Sequence, residues 1–309
     1  MSTTQKIIVI AGPTASGKSG MALKLAEELN GIIINADSMQ VYKDIPILAA
    51  TPTVEEQEHV PHKLYGIYDA SVRGNMVDWL NLAKQEIITA RQNNQIPIVV
   101  GGTGLYIETL IKGSTPIPET SEKIRKKVAD MYQKSGLNYL YQKLKEIDPL
   151  TAERLSPNDT TRIRRALEIW YHTKKTMSYW QSVPMIKHFN TEEFVCIYIN
   201  PPREVLEKKS RLRFDIMMEQ GALNEVENLM HRNLPDSLPA MRALGVQELK
   251  SYLLGKCSLE TAVENAKLHT RQYAKRQTTW FNNRYDADFI YTDYTIENKN
   301  FVDDIKKAL

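Results

Sequence analysis

The feature that most constrains how this chain folds is the octapeptide GPTASGKS at residues 12–19. It fits the pattern G-x-x-x-x-G-K-[ST] at every fixed position. In such a loop the glycines let backbone N–H groups surround phosphate oxygens, and the lysine adds a positive charge. ATP, GTP and other diphosphates present the same oxygens, so the loop alone does not select its ligand. The predicted phosphate cradle consists of Gly12, Pro13, Thr14, Ala15, Ser16, Gly17, Lys18 and Ser19.

The residues around this loop predict a parallel α/β sheet. Residues 6–11 (KIIVIA) form an apolar, β-branched run typical of a strand buried on both faces, and residues 18–30 carry apolar side chains at helical spacing. Further strands are predicted at 31–35 and 96–100, with a helix at about 77–92 between them. Alternating strands and helices indicate a P-loop NTPase-like parallel sheet core with helices on both faces.

A helical insertion interrupts the alternation. From residue 119 to about 181 strand patterns disappear and helical periodicity dominates. We therefore predict an all-α insertion domain of residues 113–190 within a core domain of residues 1–112 and 191–309. The remaining predicted elements are helices at 124–133, 137–147 and 160–173, a strand at 194–199, and helices at 203–232 and 259–283.

Positive charge is concentrated in this insertion. The net charge of the chain is only +3, yet residues 113–190 hold 14 Lys and Arg against 8 Asp and Glu. The rest of the chain holds 26 against 29 and is slightly acidic. Such an excess is typical of a polyanion-binding surface, and a solvated helical face explains it equally well.

Composition excludes several classes of protein. The apolar run at residues 7–11 is too short for a signal sequence or a membrane span, so we expect a cytoplasmic protein without membrane contact. Cys196 and Cys257 are the only cysteines in the sequence, which leaves neither a disulfide framework nor a four-ligand zinc site. We expect the chain to act as a monomer.

Two further segments follow predicted strands, at the edge of a parallel sheet where ligands gather. Asp37 comes shortly after the strand at 31–35. In an NTPase it would orient a metal ion, in a transferase it would accept a proton, and a structural alternative is that it caps a turn. Residues 101–104 (GGTG) follow the strand at 96–100, and their glycines indicate either close approach to a ligand or a simple strand-to-helix turn.

The segments GPTASGKS, DSMQVY and GGTGLY, in this order and spacing, resemble the tRNA dimethylallyltransferase family. That resemblance implies transfer of a dimethylallyl group from dimethylallyl diphosphate to the exocyclic amine of the adenosine immediately 3′ of the anticodon in tRNA. Further matching segments are Asp148-Pro149, residues 158–168, Arg213 with Met217 and Gly221, residues 242–245 with Glu248, and residues 270–281. At a spacing of four, Arg213, Met217 and Gly221 are predicted to share one helix face.

The resemblance also implies roles for individual residues. The cradle would hold the diphosphate, Ser19 would hold a Mg2+ ion, and Asp37, Thr103 and Arg213 would be catalytic. The tRNA anticodon stem-loop is the implied macromolecular partner. The residues implied to contact it are Asp37, Ser38, Met39, Gln40, Thr103, Arg125, Thr161, Ile163, Arg162, Arg164, Arg165, Arg242, Gly245 and Gln247.

The sequence departs from the family pattern at two places. Residues 48–52 read LAATP where many members have GTAKP, and Val246 replaces a frequent aromatic residue. No C-terminal zinc-finger pattern of the eukaryotic kind is present, which favours the bacterial type. Three alternatives remain open: a prenyltransferase acting on free AMP, ADP or ATP, a P-loop small-molecule kinase that binds ATP, and an RNA-binding regulator with a nucleotide-sensing loop.

Overall fold

The computed structural model describes residues 5–292 and 300–309, so residues 1–4 and 293–299 of the predicted core domain lie outside the described residues. Within these ranges six strands form one sheet in the order β3-β2-β4-β1-β5-β6, and every neighbouring pair is parallel. The predicted α/β fold class is confirmed. The strands are β1 (Ile7–Ala11), β2 (Gly31–Asn35), β3 (His62–Lys63), β4 (Ile96–Gly101), β5 (Phe194–Ile199) and β6 (Phe289–Tyr291).

The central strand β1 explains why helices cover both faces of the sheet. All five of its residues are buried. Because side chains alternate along a strand, Ile7 and Val9 belong to one hydrophobic cluster while Ile8 and Ile10 belong to a second cluster. A strand that is apolar on both faces requires helices on both sides.

Helices make up most of the remaining chain within the described residues. Among residues 5–292 and 300–309, none of them combines the length and hydrophobicity that crossing a bilayer requires. They are α1 (Lys18–Leu29), α2 (Val54–His59), α3 (Met76–Gln92), α4 (Gly104–Lys112), α5 (Glu122–Ile147), α6 (Pro149–Arg154), α7 (Thr160–Thr173), α8 (Met177–Ser182), α9 (Arg203–Glu219), α10 (Ala222–His231), α11 (Val246–Leu253), α12 (Leu259–Arg284) and α13 (Asn300–Ala308).

One predicted helix is wrong. The segment expected to be continuous over residues 203–232 is divided into α9 and α10 by Gly221, whose φ of 101° is left-handed. Gly221 therefore caps α10 and does not share a helix face with Arg213. By contrast, Gly136 takes non-helical angles (φ 74°) and kinks α5 between the two helices predicted at 124–133 and 137–147. The short strands β3 and β6 were not predicted.

The chain divides into two compact units, Met1–Ile111 with Phe189–Leu309, and Lys112–His188. We call them the sheet unit and the helical unit. The helical unit has its own hydrophobic core, to which Val128, Leu140 and Leu167 contribute. Asp148 is buried there and caps α6, because its carboxylate accepts hydrogen bonds from the Thr151 N–H (3.1 Å) and the Thr151 hydroxyl (2.7 Å).

Candidate active site

The predicted phosphate cradle connects β1 to α1. Its last residue before α1, Gly17, has a φ of 98°, and Ala15 also takes a left-handed conformation, with a φ of 62°. A Cβ on Gly12 would lie 2.5 Å from Ile199 O, so a larger residue would displace β5 or the loop. The N-terminal N–H groups of a helix have no intrahelical acceptor, so α1 presents donors and a positive dipole end to a phosphate.

Lys18 is half-buried within the cradle. Its Nζ donates a 2.7 Å hydrogen bond to Pro13 O. Burial is the largest cause that lowers the pKa of Lys18, to about 7; the charge of Asp37 opposes the shift, and the charge of Arg213 adds to it. An ammonium with so little solvation is stabilised by an anion, which a bound phosphate would supply.

A second, half-buried cation reaches the cradle from α9. Arg213 Nη2 donates a 2.5 Å hydrogen bond to Thr14 Oγ1. Burial lowers the pKa of Arg213, and the charge of Asp37 opposes this shift. Lys18 and Arg213 thus bring two positive groups to one loop, as an anionic ligand requires.

Asp37 follows the end of β2 and is fixed by its neighbours. Asn35 Oδ1 accepts from the Asp37 N–H at 2.8 Å, and Asn35 Nδ2 donates to Leu64 O at 3.0 Å. Asp37 Oδ1 itself accepts from the Met39 N–H at 2.8 Å, so the turn-capping interpretation is correct for this oxygen. The same side chain also lines a cavity, so capping the turn is compatible with a role toward a ligand.

Thr103 supports the segment that carries Asp37. Its Oγ1 accepts from the Ser38 N–H at 2.9 Å and donates to Ser38 Oγ at 3.2 Å. Contacts within the protein account for two neighbouring glycines, as the strand-to-helix turn interpretation predicts. A Cβ on Gly101 would collide with the Ala36 backbone, and one on Gly104 would lie 2.5 Å from Trp280 Cδ2.

The cavity beside Asp37 has a volume of about 370 Å³. Apolar side chains and three arginines surround it, and within the described part of the chain Asp37 is the one carboxylate in its lining. This composition suits a flat, partly polar ligand with an anionic group. The lining residues are Thr14, Asp37, Ser38, Met39, Leu48, Ala49, Ser210, Arg213, Phe214, Met217, Arg242, Ala243, Leu244, Thr270, Tyr273 and Arg276.

Other predicted site residues of the sheet unit lie around this cavity without all facing it. Gln40 Nε2 donates to Ala50 O at 2.7 Å, which fixes the segment at residues 48–52 that departs from the family pattern. Gln247 Nε2 donates to Met241 O at 2.6 Å, in the turn that carries Arg242. Gly245 is buried with a φ of 91°, so it shapes the turn and offers no side chain.

The remaining predicted contacts belong to the helical unit. Arg162 is 75% exposed, and Thr161 is exposed as well. Arg165 Nη1 donates to Thr120 Oγ1 at 2.8 Å, and burial lowers its pKa. The predicted tRNA contact of Ile163 is wrong, because its side chain is fully buried in the unit's hydrophobic core and is not available to a partner. Arg125 is half-buried and pairs with Glu119 (2.8 Å), and Arg164 is half-buried beside the ring of Tyr132.

Ser19 lines a smaller cavity of about 140 Å³, together with Thr51, Glu56 and Arg213. Within residues 5–292 and 300–309 no group of three or more His, Cys, Asp or Glu side chains is arranged to hold a metal ion. Magnesium commonly takes one or two protein ligands and completes its shell with phosphate oxygens and water. The residues around Ser19 fit a Mg2+ ion of that kind and do not fit a cage made of protein ligands alone.

Two residues near the site were not predicted from the sequence. Gln277 on α12 is hydrogen-bonded to the cradle, and Glu225 on α10 accepts from the N–H groups of Ile47 (2.8 Å) and Leu48 (3.0 Å). Burial raises the pKa of Glu225. Glu225 belongs to no recognised motif, and Gln277 lies in the matching segment at residues 270–281 but was not singled out there. Each acts on backbone groups far away in sequence. The signal that both share is a polar residue at a position where helical periodicity predicts burial.

The fold and the site together define a P-loop α/β enzyme in which a cationic phosphate cradle and one carboxylate border the same cavity. Residues 40–284 match the family model described as IPP transferase. The chain is 45% identical over 284 residues to the tRNA dimethylallyltransferase of Zymomonas mobilis, covering 92% of this chain and 90% of the relative. It is 40% identical over 308 residues to that of Pelagibacter ubique, covering 100% and 97%.

Solved structures agree with these sequence matches. A full-length tRNA isopentenylpyrophosphate transferase from Bacillus halodurans superposes with a TM-score of 0.69 at 33% identity, covering 98% of this chain and 96% of that one. A eukaryotic dimethylallyltransferase acting on tRNA superposes with a TM-score of 0.80 at 32% identity, covering 94% and 74%. This chain therefore belongs to the IPP transferase family, and the predicted resemblance is confirmed.

Proposed function

We propose that this chain transfers the dimethylallyl group of dimethylallyl diphosphate to the exocyclic amine of the adenosine immediately 3′ of the anticodon in tRNA. Membership of the family and the names of its relatives support this activity. One geometric observation carries the mechanism. Asp37 lines the same cavity as Thr14 and Arg213, so a proton acceptor and the diphosphate-binding groups border one substrate space.

In the proposed reaction the diphosphate in the cradle is a leaving group. The bond between the allylic carbon and the diphosphate oxygen breaks, the carbon bonds to the amine nitrogen, and the amine releases one proton. Negative charge grows on the departing oxygen, where Lys18 and Arg213 stabilise it. A Mg2+ ion held by Ser19, diphosphate oxygens and water would neutralise more of that charge.

Asp37 receives the proton in this mechanism. An exocyclic amine of adenine is a poor nucleophile, so a carboxylate within hydrogen-bond reach is needed as the new bond forms. Oδ1 is engaged with the Met39 N–H, which assigns proton transfer to Oδ2. Thr103 holds the Ser38 backbone beside it and so keeps the carboxylate in place.

The substrate adenine must leave the anticodon stack to enter the cavity. Unstacking a base costs a few kcal/mol, and a pocket of about 370 Å³ lies in the range that accepts a small ligand. We propose that Met39, Leu48 and Arg242 surround the everted base. Contacts from Arg162 and its basic neighbours in the helical unit to RNA phosphates would offset the cost and make binding salt-dependent.

The decisive experiment is a product assay. Purified enzyme is incubated with Mg2+, dimethylallyl diphosphate and either unmodified tRNA or free AMP, ADP or ATP, and the products are analysed by mass spectrometry. We expect one dimethylallyl group on the adenosine beside the anticodon. A prenylated mononucleotide with unmodified tRNA would overturn the proposal in favour of a free-nucleotide prenyltransferase. ATP-dependent phosphorylation of a small acceptor would favour a kinase.

We further propose that the enzyme acts in the cytoplasm as a monomer. A tRNA substrate supports the proposed location in the cytoplasm. Sedimentation of the purified protein with and without tRNA tests whether it is a monomer, and a concentration-dependent dimer in the absence of tRNA would contradict this proposal.

A further inference from the structure

Gln277 lies between the phosphate cradle and the turn that follows β4. It is on α12, and its side chain is only 6% exposed. Its Oε1 accepts a 2.9 Å hydrogen bond from the Thr14 N–H, and its Nε2 donates a 2.8 Å hydrogen bond to Gly102 O. One buried amide thus joins the phosphate cradle to the turn after β4.

These two bonds connect two series of contacts that border the site. On one side, Thr14 in the cradle is also bonded to Arg213. On the other side, Thr103 follows Gly102 and holds the Ser38 backbone next to Asp37. The cradle and Asp37 both lie close to Gly102, where a Cβ would be 3.4 Å from Gly12 O and 3.5 Å from Asp37 Oδ2.

We infer that Gln277 is a positioning residue that sets the separation between the diphosphate cradle and the carboxylate of Asp37. The inference rests on the proposed alkyl transfer, in which the leaving group and the proton acceptor act on the same substrate pair. Reacting groups must be aligned to within a fraction of an ångström, and a 1 Å displacement costs on the order of 100-fold in rate. The residue touches no reacting atom.

The chemistry of this position requires one acceptor and one donor on a single planar group. An amide supplies both, and leucine supplies neither. An ionised carboxylate has acceptors only, so it would repel Gly102 O, whereas a protonated carboxyl has one O–H donor and one acceptor. Replacement by glutamate therefore makes the bridge dependent on protonation.

The test compares Gln277→Leu and Gln277→Glu with wild-type enzyme in the tRNA prenylation assay. Asn283→Asp is the matched control, because it makes the same amide-to-acid change at an exposed position of the same helix. For Gln277→Leu we expect kcat to fall about 10- to 100-fold, while KM for tRNA changes by less than about threefold. Circular dichroism and thermal unfolding report whether each variant is folded.

The pH profile of Gln277→Glu separates positioning from a general loss of stability. The activity ratio of the variant to wild type should be highest near about pH 6 and fall as the pH rises, because burial raises a carboxyl pKa and ionisation removes the donor. The ratio for Asn283→Asp should stay constant. A Gln277→Glu ratio independent of pH, or a folded Gln277→Leu enzyme with wild-type kcat, would overturn the inference. An inactive wild-type enzyme would instead overturn the proposed function.

Discussion

Arg213 Nη2 lies 2.5 Å from Thr14 Oγ1, although the two residues are 199 positions apart in the sequence. The bond brings a half-buried guanidinium from α9 to the loop between β1 and α1. Because burial disfavours this cation and lowers its pKa, the charge is held at the cradle at an electrostatic cost that a bound diphosphate would relieve. The proposed binding of a diphosphate would therefore depend on a helix far from the motif that predicts the cradle.

Removing this guanidinium should weaken catalysis strongly. We expect Arg213→Gln to lower kcat/KM for dimethylallyl diphosphate by about 100-fold, and Arg213→Lys to recover only part of the loss, since lysine keeps the charge but not the planar fork. Steady-state kinetics measure both variants. Arg211→Gln is the control, because Arg211 is an exposed residue that pairs with Glu264. Equal losses at Arg211 and Arg213 would contradict the assignment.

Asp37→Asn tests proton transfer without disturbing the turn. Asparagine retains an oxygen that accepts from the Met39 N–H, so the local fold should persist. We expect kcat to fall by about 100- to 10,000-fold, the usual contribution of a general base. The affinity for tRNA, measured by filter binding, should change by less than about threefold. Undiminished transfer would show that another group takes the proton.

The pKa of Lys18 predicts a pH dependence for diphosphate binding. In the free enzyme this pKa is lowered to about 7, and a bound anion should raise it. Between these two values binding takes up a proton, so affinity falls by up to about tenfold per unit as the pH rises above 7. The second ionisation of a phosphate monoester has a pKa of about 6, so it lies below this pH window.

Isothermal titration of dimethylallyl diphosphate in buffers with different ionisation enthalpies measures this proton uptake directly. We expect uptake approaching one proton near pH 8 for the wild-type enzyme. Lys18→Arg should bind the diphosphate without proton uptake, because an arginine does not release its proton in this pH range. Identical proton uptake in both proteins would assign the titration to a different group.

The same pKa has a consequence for stability. An unfolded lysine titrates near its ordinary value of 10.5, so between about pH 7 and that value the unfolded state binds more protons than the folded one. The free energy of unfolding of the unliganded enzyme should therefore rise with pH across this window. Urea denaturation at several pH values, compared with Lys18→Met, isolates the contribution. An identical pH dependence of the free energy of unfolding in the wild-type enzyme and Lys18→Met would disprove the contribution of Lys18.

Glu225 should control the mobility of the segment that borders the cavity. Its two oxygens accept from Ile47 and Leu48, whereas the amide of Glu225→Gln has one acceptor oxygen and leaves one N–H without a partner. We expect amide hydrogen exchange at residues 47–48 to accelerate, with a loss of about 1–3 kcal/mol in local stability. Glu227→Gln on the same helix is exposed and serves as the control. Unchanged protection would contradict the role.

Arg162 tests the proposed RNA contact of the helical unit. Its side chain is 75% exposed, so Arg162→Ala should leave the fold intact. We expect weaker tRNA binding and a slope of log K against log salt that is shallower by about 1, since one phosphate contact is lost. Arg154→Ala, which removes an exposed arginine bonded to Gln181 in the same unit, is the control. Equal effects of both changes would indicate general electrostatic attraction.

The sequence predicted the elements whose patterns are local. Strand β2 and strand β5 were located residue by residue, because an apolar β-branched run ending in a polar residue leaves few alternatives. The cradle was predicted for the same reason, since its motif is contiguous. Gly221 shows the limit of periodicity: apolar spacing continues across it, and only its left-handed backbone reveals the break.

The missed parts of the site depend on contacts between distant segments. Gln277 and Glu225 look like ordinary helical polar residues until the fold places backbone N–H groups beside them. The glycines at 101–104 were predicted either to make room for a ligand or to form a turn, and Ala36 and Trp280 occupy the space beside Gly101 and Gly104. The family resemblance implied an RNA contact for Ile163, although helix geometry turns its side chain inward.

Because α12 holds Thr14 through Gln277, the cradle is secured by a residue that lies 263 positions later in the sequence. A ribosome must release α12 before the cradle can make this contact. Contacts of such long sequence separation slow folding, since distant segments have to meet before they gain any stabilisation. A nascent chain that stops before residue 259 would retain an intact cradle motif and yet lack the hydrogen bond from Gln277 that positions it.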